Sequence, residues 1–447
     1  MIHDLKPYPA YKDSGVPWLG KVPEHWGVQR GKWLFRHRKQ INADRSNSNI
    51  LSLTLRGVVN NDPDNPEGLV PKDYASYQLF RKGDLVFKLI DLENLRTSRV
   101  GLVHEDGIMS PAYVRLIPQL ENNIRFFFQQ YFDLYQRGIY NQLGAGVRST
   151  LGFNDLLNLN VLVPSLPEQS VIVSYLDYID RRIRRYIRAK QKLIKLLEEQ
   201  KQAIIHQAVT RGLDPDVRLK PSGVEWLGDV PEHWEVRQLG RFITLQRGFD
   251  ITKEQQIKGN VPVVSSGGVS SYHNQSTSSG PGVIVGRKGS VGTVHFVEGA
   301  YWAHDTTLWV KEFNDNHPKF VYYVLLNLEL KRFDTGSANP TINRNIVHPE
   351  IVAFPPTCEQ FSIFSYLDQK LEQNKKLIEH YIRDISLLRE YRTRLIADVV
   401  TGKLDVREAA ANLPEETELT DIIIEDLEET DIQEETEEAN IQEEVDV

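Results

Sequence analysis

Cysteine is nearly absent from this sequence, with Cys358 the single example among 447 residues. One thiol cannot form a disulfide within the chain or build a cysteine-rich metal site, and such scarcity is typical of a reducing compartment. No stretch approaches the roughly 18 apolar residues of a membrane span. The opening MIHDLKPYPAYKD also lacks the charged and then apolar pattern of a secretion signal. We therefore expect a soluble, cytoplasmic protein that does not contact membranes.

Positive charge is missing from one end of the chain. Residues 412–447 contain 16 Asp and Glu and no Lys or Arg, so residues 1–411 hold all 53 basic side chains against 45 acidic ones. The net charge of −8 therefore conceals a body of about +8, which suits a polyanionic partner. Because long acidic runs repel themselves, residues 409–447 are predicted to form a disordered acidic tail.

Two long segments occur twice. SGVPWLGKVPEHW at 14–26 returns as SGVEWLGDVPEHW at 222–234, identical at eleven of thirteen positions with an offset of 208. Residues 165–214 and 356–405 align without a gap at an offset of 191. The chain is thus a motif, a variable domain and a helix, then the same again. The predicted boundaries are 1–164 and 215–355 for the domains, and 165–214 and 356–408 for the helices.

Each helical segment has apolar residues at steps of three and four, such as Ile172, Leu176, Ile179 and Ile183 in the first. About 40 helical residues make a rod of roughly 60 Å. Two such apolar stripes are predicted to bury each other as an antiparallel coiled coil that holds the domains at opposite ends. The alternative is that each helix packs on its own domain.

The variable regions, 27–164 and 235–355, have the pattern of mixed α/β domains. Short Val and Ile runs at 261–264, 283–285 and 291–297 alternate with glycines and serines, as strands with tight turns do. Aromatic helical stretches are predicted at 124–135 and 320–330. Both regions end in segments that align at the offset of 191, which indicates divergent copies of one domain. The predicted class is α+β, with two twisted-sheet domains, two long helices and an internal pseudo-twofold repeat.

These motifs resemble the specificity subunit of Type I restriction-modification systems. The resemblance rests on the paired G-x-x-W-L-G-x-V-P-E-H-W, on L-P-E-Q and C-E-Q at the helix starts, and on G-R-K-G-S-V-G at 286–292, and it covers residues 10–408. It implies two target-recognition domains that each read half of a split sequence in double-stranded DNA. It also implies that the helices set the gap between the two halves.

The resemblance places the chemistry on other chains. Two methylation subunits and the restriction and translocase subunits would carry it, with S-adenosylmethionine, ATP and magnesium bound to those partners and no cofactor in this chain. The residues agree. The nearest match to the adenine methyltransferase motif [NDS]-P-P-[YFW], at 339–342, lacks the second proline and the aromatic residue. His25 and His233 have no Cys or His companions at metal-ligand spacing.

Candidate DNA contacts are basic or amide side chains on glycine-rich loops, which can reach phosphates or guanine edges while the loop approaches closely. Each could equally be an ordinary solvated side chain. The eight candidates are Arg56, Lys88, Arg99 and Arg148 in the first domain and Arg247, Arg287, Lys288 and Asn339 in the second.

Three functions remain open on the sequence alone. The residues favour a non-catalytic reader of DNA sequence that also scaffolds its partners. A self-sufficient DNA-modifying enzyme would need degenerate motifs. A coiled-coil scaffold without DNA contact would show no salt-dependent DNA binding.

Overall fold

The computed structural model describes residues 5–55, 57–62, 73–90, 92, 98–143, 150–336 and 340–414. The chain divides into unit 1, residues 1–186 with 387–447, and unit 2, residues 187–386. Each unit therefore combines one variable domain with one part of each long helix. In the described part of the chain, no helix has both the length and the apolar character needed to cross a bilayer.

The first half of the chain contains, in order, β1 Tyr11–Asp13, β2 Lys21–Pro23, β3 Gly27–Arg30, β4 Phe35–His37, β5 Leu51–Thr54, β6 Gly57–Asn60, β7 Gln78–Phe80, β8 Leu85–Phe87, β9 Val100–Leu102, β10 Gly107–Met109, β11 Val114–Pro118, α1 Ile124–Gln136, α2 Ile139–Leu143, α3 Phe153–Asn158, β12 Asn160–Val163 and α4 Leu166–Arg211.

The second half contains β13 Leu219–Pro221, β14 Asp229–Pro231, β15 Glu235–Gln238, α5 Leu239–Phe242, β16 Thr244–Arg247, β17 Val261–Ser265, β18 Gly268–His273, β19 Gly282–Gly286, β20 Val294–Val297, β21 Trp302–Ala303, β22 Thr307–Glu312, α6 Pro318–Asn327, α7 Arg344–Val347, β23 Ile351–Phe354, α8 Thr357–Val400 and α9 Arg407–Ala411. The predicted α+β class with two divergent copies of one domain is confirmed.

Each domain is built on a four-stranded antiparallel sheet. The order is β4-β11-β8-β9 in the first and β16-β22-β19-β20 in the second. Alternate residues of a strand face opposite sides, so Leu85 and Phe87 pack with α1 while Val86 packs with β5 and β7. Val283 and Val285 likewise pack with α6, and Ile284 packs with β17 and β21. A helix thus covers one face of each sheet, and smaller strands lie against the other.

A two-stranded neck joins each domain to its mounting. β3 pairs with β12, so that Gly27 faces Val163, and β15 pairs with β23, so that Glu235 faces Phe354. The chain therefore enters and leaves each domain at neighbouring positions. The variable sequence lies between two adjacent strand ends, directly after P-E-H-W and directly before the long helix.

The repeated P-E-H-W motif binds the first turn of the long helix. In unit 1 the Glu168 carboxylate accepts hydrogen bonds from Tyr8 Oη at 2.9 Å and from Trp26 Nε1 at 3.1 Å, and His25 Nε2 lies 3.0 Å from its Oε2. Burial and the nearby carboxylate raise the pKa of Tyr8 well above its usual value, which keeps this phenol a donor. The motif recurs because a tryptophan indole needs this acceptor at each mounting point.

Unit 2 repeats the contact. The Glu359 carboxylate accepts from Trp234 Nε1 at 3.1 Å and lies 2.7 Å from His233 Nε2. The next residue of each helix ties it to the domain helix: Gln169 Oε1 accepts from the backbone N–H of Asn123 at 2.9 Å, and Gln360 Oε1 accepts from that of His317 at 2.8 Å. The E-Q pairs at the two helix starts are therefore a mount for each domain.

The long helices pair antiparallel within each unit. In unit 1 the first turns of α4, with Ile172 and Leu176, share a core with Leu395 and Val399 from the last turns of α8. In unit 2 the end of α4 shares a core with the start of α8, and Lys190 Nζ lies 2.7 Å from Asp384 Oδ2. The last turns of α8 enter the core of the first domain. The structure therefore does not have the alternative arrangement, in which each helix packs only on its own domain.

Candidate nucleic-acid interface

Three strand ends of the second domain meet at one edge of its sheet. In the antiparallel order β16-β22-β19, the end of β16, the start of β22 and the end of β19 are neighbours: Arg247 faces Leu308, and Gly286 faces Thr307. We call Arg247, Arg287, Lys288 and residues 304–306 the edge cluster. The predicted candidates Arg247, Arg287 and Lys288 are thus brought together by strand topology, although 40 residues separate Arg247 from the other two.

The loop after β19 is fixed by backbone hydrogen bonds on both sides. The N–H groups of Arg287 and Lys288 donate to the carbonyl of Thr306 at 2.8 and 3.0 Å, and the Arg287 carbonyl accepts from the N–H of Ile342 at 3.0 Å. A Cβ at Gly286 would lie only 2.2 Å from the Ser290 carbonyl oxygen. The loop folds tightly because this position is glycine, and it holds two basic side chains at a defined place.

Asp305 lies between the two guanidinium groups of the edge cluster. Its Oδ2 accepts from Arg247 Nη2 at 2.7 Å, and its backbone carbonyl accepts from Arg287 Nη1 at 3.2 Å. Burial alone would raise the pKa of Asp305, but the hydrogen bond from Arg247 and the nearby positive charges hold it below its usual value. Burial and the charge of Arg247 lower the pKa of Arg287. The arginine charges repel each other, so an anion or a base-edge acceptor would stabilise this arrangement.

Two residues of the candidate interface were not among the predicted contacts: Phe249, because it is neither basic nor an amide, and Lys39, because no glycine lies beside it. Phe249 is 42% exposed, and its backbone is fixed by bonds to Ala303 and to the indole of Trp302. An exposed aromatic ring beside arginines can contact a thymine methyl group or stack on a base. Lys39 follows β4 in the first domain at the position that Arg247 holds in the second, since the offset of 208 relates the two, and its side chain is exposed.

The first-domain candidates have different surroundings. Lys88 follows β8 at the matching sheet edge, and its N–H donates to the Arg99 carbonyl at 3.1 Å. Arg99 itself is fully buried, so in this conformation its side chain does not reach a surface that DNA could touch. The expected exposure of Arg99 is therefore not found in this conformation, and its contact with DNA stays a prediction. Arg56, Arg148 and Asn339 lie outside the described residues, and their roles stay predictions.

One group of potential metal ligands lies at the same edge. Asp250, His304 and Asp305 offer ligand atoms within 4.8 Å of one another. Asp305 is already bonded to Arg247, and Arg287 and Lys288 add positive charge beside it. This charge opposes a cation, so the group fits an anion-binding edge better than a metal centre.

Comparison with known proteins connects both domains to one family. The family described as Type I restriction modification DNA specificity domain matches residues 45–196 and 231–384. Among curated proteins, a type I restriction enzyme MjaX specificity subunit of Methanocaldococcus jannaschii is 24% identical over 243 residues. That match covers 50% of this chain and 53% of the relative, so it spans about half the length of each protein.

Solved structures share the fold. A chain from a study of complex assembly and conformational transition in the type I R-M system has a TM-score of 0.67 at 16% identity, over 86% of this chain and 100% of that one. The HsdS subunit of Thermoanaerobacter tengcongensis has a TM-score of 0.50 at 16% identity, over 86% and 98%. At this identity the likeness concerns the fold alone.

Proposed function

Because the chain belongs to the family of Type I restriction modification DNA specificity domains, we propose that it is the sequence-reading subunit of a Type I restriction-modification complex. Each of its two domains reads one half of a split target in double-stranded DNA. The chain also scaffolds two methylation subunits and the restriction and translocase subunits. It works in the cytoplasm.

The observation that carries this proposal is the edge cluster. Arg287 and Lys288 project from a loop fixed on both sides, beside Arg247. An arginine fork matches the O6 and N7 acceptors of guanine, and such bidentate contacts specify bases while phosphate contacts position the protein. A second copy of the domain on an equivalent mount supplies the second half-site reader.

The chemistry is proposed to reside in the partners. S-adenosylmethionine, ATP and magnesium would bind to the partners. This sequence lacks the methyltransferase motif, and His25 and His233 have no Cys or His companions at metal-ligand spacing. The alternative of a self-sufficient DNA-modifying enzyme requires a base-stacking aromatic beside paired prolines, and residues 339–342 do not provide it.

We expect the purified chain alone to transfer no methyl groups to DNA. It would be incubated with labelled S-adenosylmethionine and duplex DNA, first alone and then with its methylation subunits. Label should enter DNA only in the second mixture. Methyl transfer by a clean preparation of this chain alone would support the self-sufficient enzyme instead.

Arg287→Ala should weaken recognition of one half-site only. If Arg287 contacts a base, its loss costs about 1–3 kcal/mol, or roughly 5- to 150-fold in affinity. The assembled complex would be titrated with duplexes altered in either half. The variant should discriminate less well against changes in the half read by the second domain while discriminating changes in the other half normally. Arg237→Ala, which removes an exposed arginine on β15 bonded to Glu235, is the matched control and should leave both halves unaffected.

A further inference from the structure

We propose that the outer face of the first domain's sheet is a binding site for the DNA phosphate backbone, one that the second domain lacks. The site is a cavity of about 460 Å³ lined by Arg36, Arg38, Arg81, Lys82 and Arg115, which we call the basic groove. The inference rests on the proposed DNA-reading function and deepens it. It assigns the two domains unequal shares of sequence-independent binding.

Two structural elements place the rim cations. Arg36 and Arg38 occupy alternate positions along and just beyond β4, so both face the same side, about 7 Å apart along the strand. Arg81 and Lys82 lie on the turn before β8. That turn is fixed by the Arg81 N–H, which donates to Asp84 Oδ2 at 2.6 Å, and by the Lys82 N–H, which donates to Asp106 Oδ1 at 2.8 Å.

The floor of the basic groove is already paired, whereas its rim is not. Arg115 Nε lies 2.5 Å from Asp84 Oδ2, and both side chains are buried. Burial raises the pKa of Asp84 despite this pairing, and the nearby charges of Arg115 and Arg81 act in the opposite direction. Within the ranges that the structure describes, it records no side-chain ion pair for the four rim cations, and all four are exposed. Four like charges around one cavity repel each other, and an anion would relieve that repulsion.

The second domain shows that the sheet does not need these charges. The offset of 208 places Thr244 where the first domain has Arg36 and Gln246 where it has Arg38. Val86, which faces Arg115, and Ile284, which faces Trp309, occupy equivalent positions in the two sheets. Five and four residues before them, Arg81 and Lys82 of the first domain correspond to Ser279 and Gly280 of the second. All four rim positions are therefore uncharged in the second copy.

The floor of the basic groove is also charged in the first domain and uncharged in the second. Trp309 replaces Arg115, and Gly282 replaces Asp84. The ring of Tyr301 fills the space, since a Cβ at Gly282 would lie 2.1 Å from it, and it meets Trp309 edge-on at 6.3 Å between centroids. Aromatic packing can replace a buried ion pair without loss of stability. The charged version in the first domain therefore needs a reason other than folding.

Location and chemistry favour a DNA backbone as the occupant. Arg38 immediately precedes Lys39, the exposed residue that corresponds to Arg247 of the edge cluster, so the groove begins where this domain's own candidate interface ends. Three of the four rim cations are arginines, whose planar forks bind phosphate in bidentate fashion. The four cations at its rim should contact phosphates rather than base edges, so the contacts of the groove should be independent of sequence.

The test replaces the four rim cations with uncharged residues, of which those at positions 36, 38 and 81 are the residues of the other copy. A variant with Arg36→Thr, Arg38→Gln, Arg81→Ser and Lys82→Ser would be assembled with the partner subunits. Binding to target and non-target duplexes would be measured between about 50 and 200 mM salt. The slope of log K against log salt should shrink by about 3–4, because each phosphate contact contributes about 0.9. Affinity for both duplexes should fall in parallel, while the methylated sequence stays the same.

The control removes exposed lysines of α8 instead, by Lys370→Ser, Lys375→Ser and Lys376→Ser, and should change the slope by less than one. A wild-type slope in the rim variant would overturn the groove proposal. Weaker assembly with the partners at an unchanged slope would also overturn it and would identify an acidic protein surface as the occupant. If the wild-type complex itself showed no preference for any target, the proposed function would fail instead.

Discussion

Replacing Glu168 with alanine is expected to destabilise unit 1 by about 3–5 kcal/mol. The carboxylate is only 6% exposed and accepts from Tyr8 and Trp26, both of which are buried. Without it, an indole N–H and a phenol O–H are left in a closed environment, and each unsatisfied donor costs about 1–3 kcal/mol. The mount of the first domain on α4 should therefore loosen.

The same change in unit 2 is a matched comparison. The Glu359 carboxylate is 29% exposed and accepts from one buried indole, that of Trp234. Water can replace part of its role, so Glu359→Ala should cost only about 1–2 kcal/mol. Glu168→Gln keeps an acceptor for Trp26 and should fall between the two alanine variants.

Hydrogen-exchange mass spectrometry of the full chain would measure these effects, because its peptides report on the two units separately. Glu168→Ala should raise exchange around residues 8–26, whereas Glu359→Ala should act around residues 222–234 and to a smaller extent. Equal losses in the two units would contradict the idea that burial sets the strength of each mount.

The architecture could be predicted because the sequence contains two copies of the same arrangement. Repeats at offsets of 208 and 191 required two equivalent domains and helices, and apolar steps of three and four required long amphipathic helices. The residue that the repeated P-E-H-W contacts could not be predicted. Trp26 meets Glu168 across 142 residues, and nothing local in either motif indicates the other.

The edge cluster was partly predictable for a physical reason. A glycine beside Arg247 and glycines around Arg287 allow tight loops, and tight loops place long side chains at a surface. Arg99 does not follow this rule, because its side chain is fully buried, and the sequence alone does not show whether a side chain is covered by others.

The basic groove was beyond local reasoning. Arg36 and Arg38 have the spacing of an ordinary exposed strand face, and Arg81 with Lys82 has that of an ordinary turn. Only the antiparallel order β4-β11-β8 brings them to one cavity. Its significance then comes from comparison with the uncharged second copy.

Exchanging residues 235–355 for the matching domain of a related subunit is expected to change one half of the methylated sequence completely. The two cut points are neighbours, because β15 pairs with β23 and Glu235 faces Phe354. The graft therefore joins the chain at a two-stranded neck, and the incoming domain packs on the start of α8 as the present one does. Trp234 and Glu359 lie outside the exchanged segment, so this contact of the mount stays in place, and the incoming domain supplies the backbone N–H that Gln360 accepts from His317 in the present chain.

The other half of the sequence should be unchanged, because its reader belongs to the other unit and keeps its own neck, β3 with β12. Base contacts of one half-site are exchanged, while backbone contacts made by the first domain persist. Methylome sequencing of cells that carry the hybrid complex would show the new target. A reciprocal exchange of residues 27–163 is the control and should change the opposite half. A change in both halves from one exchange would mean that the domains read DNA jointly, and the two mounts would then not be independent attachment points.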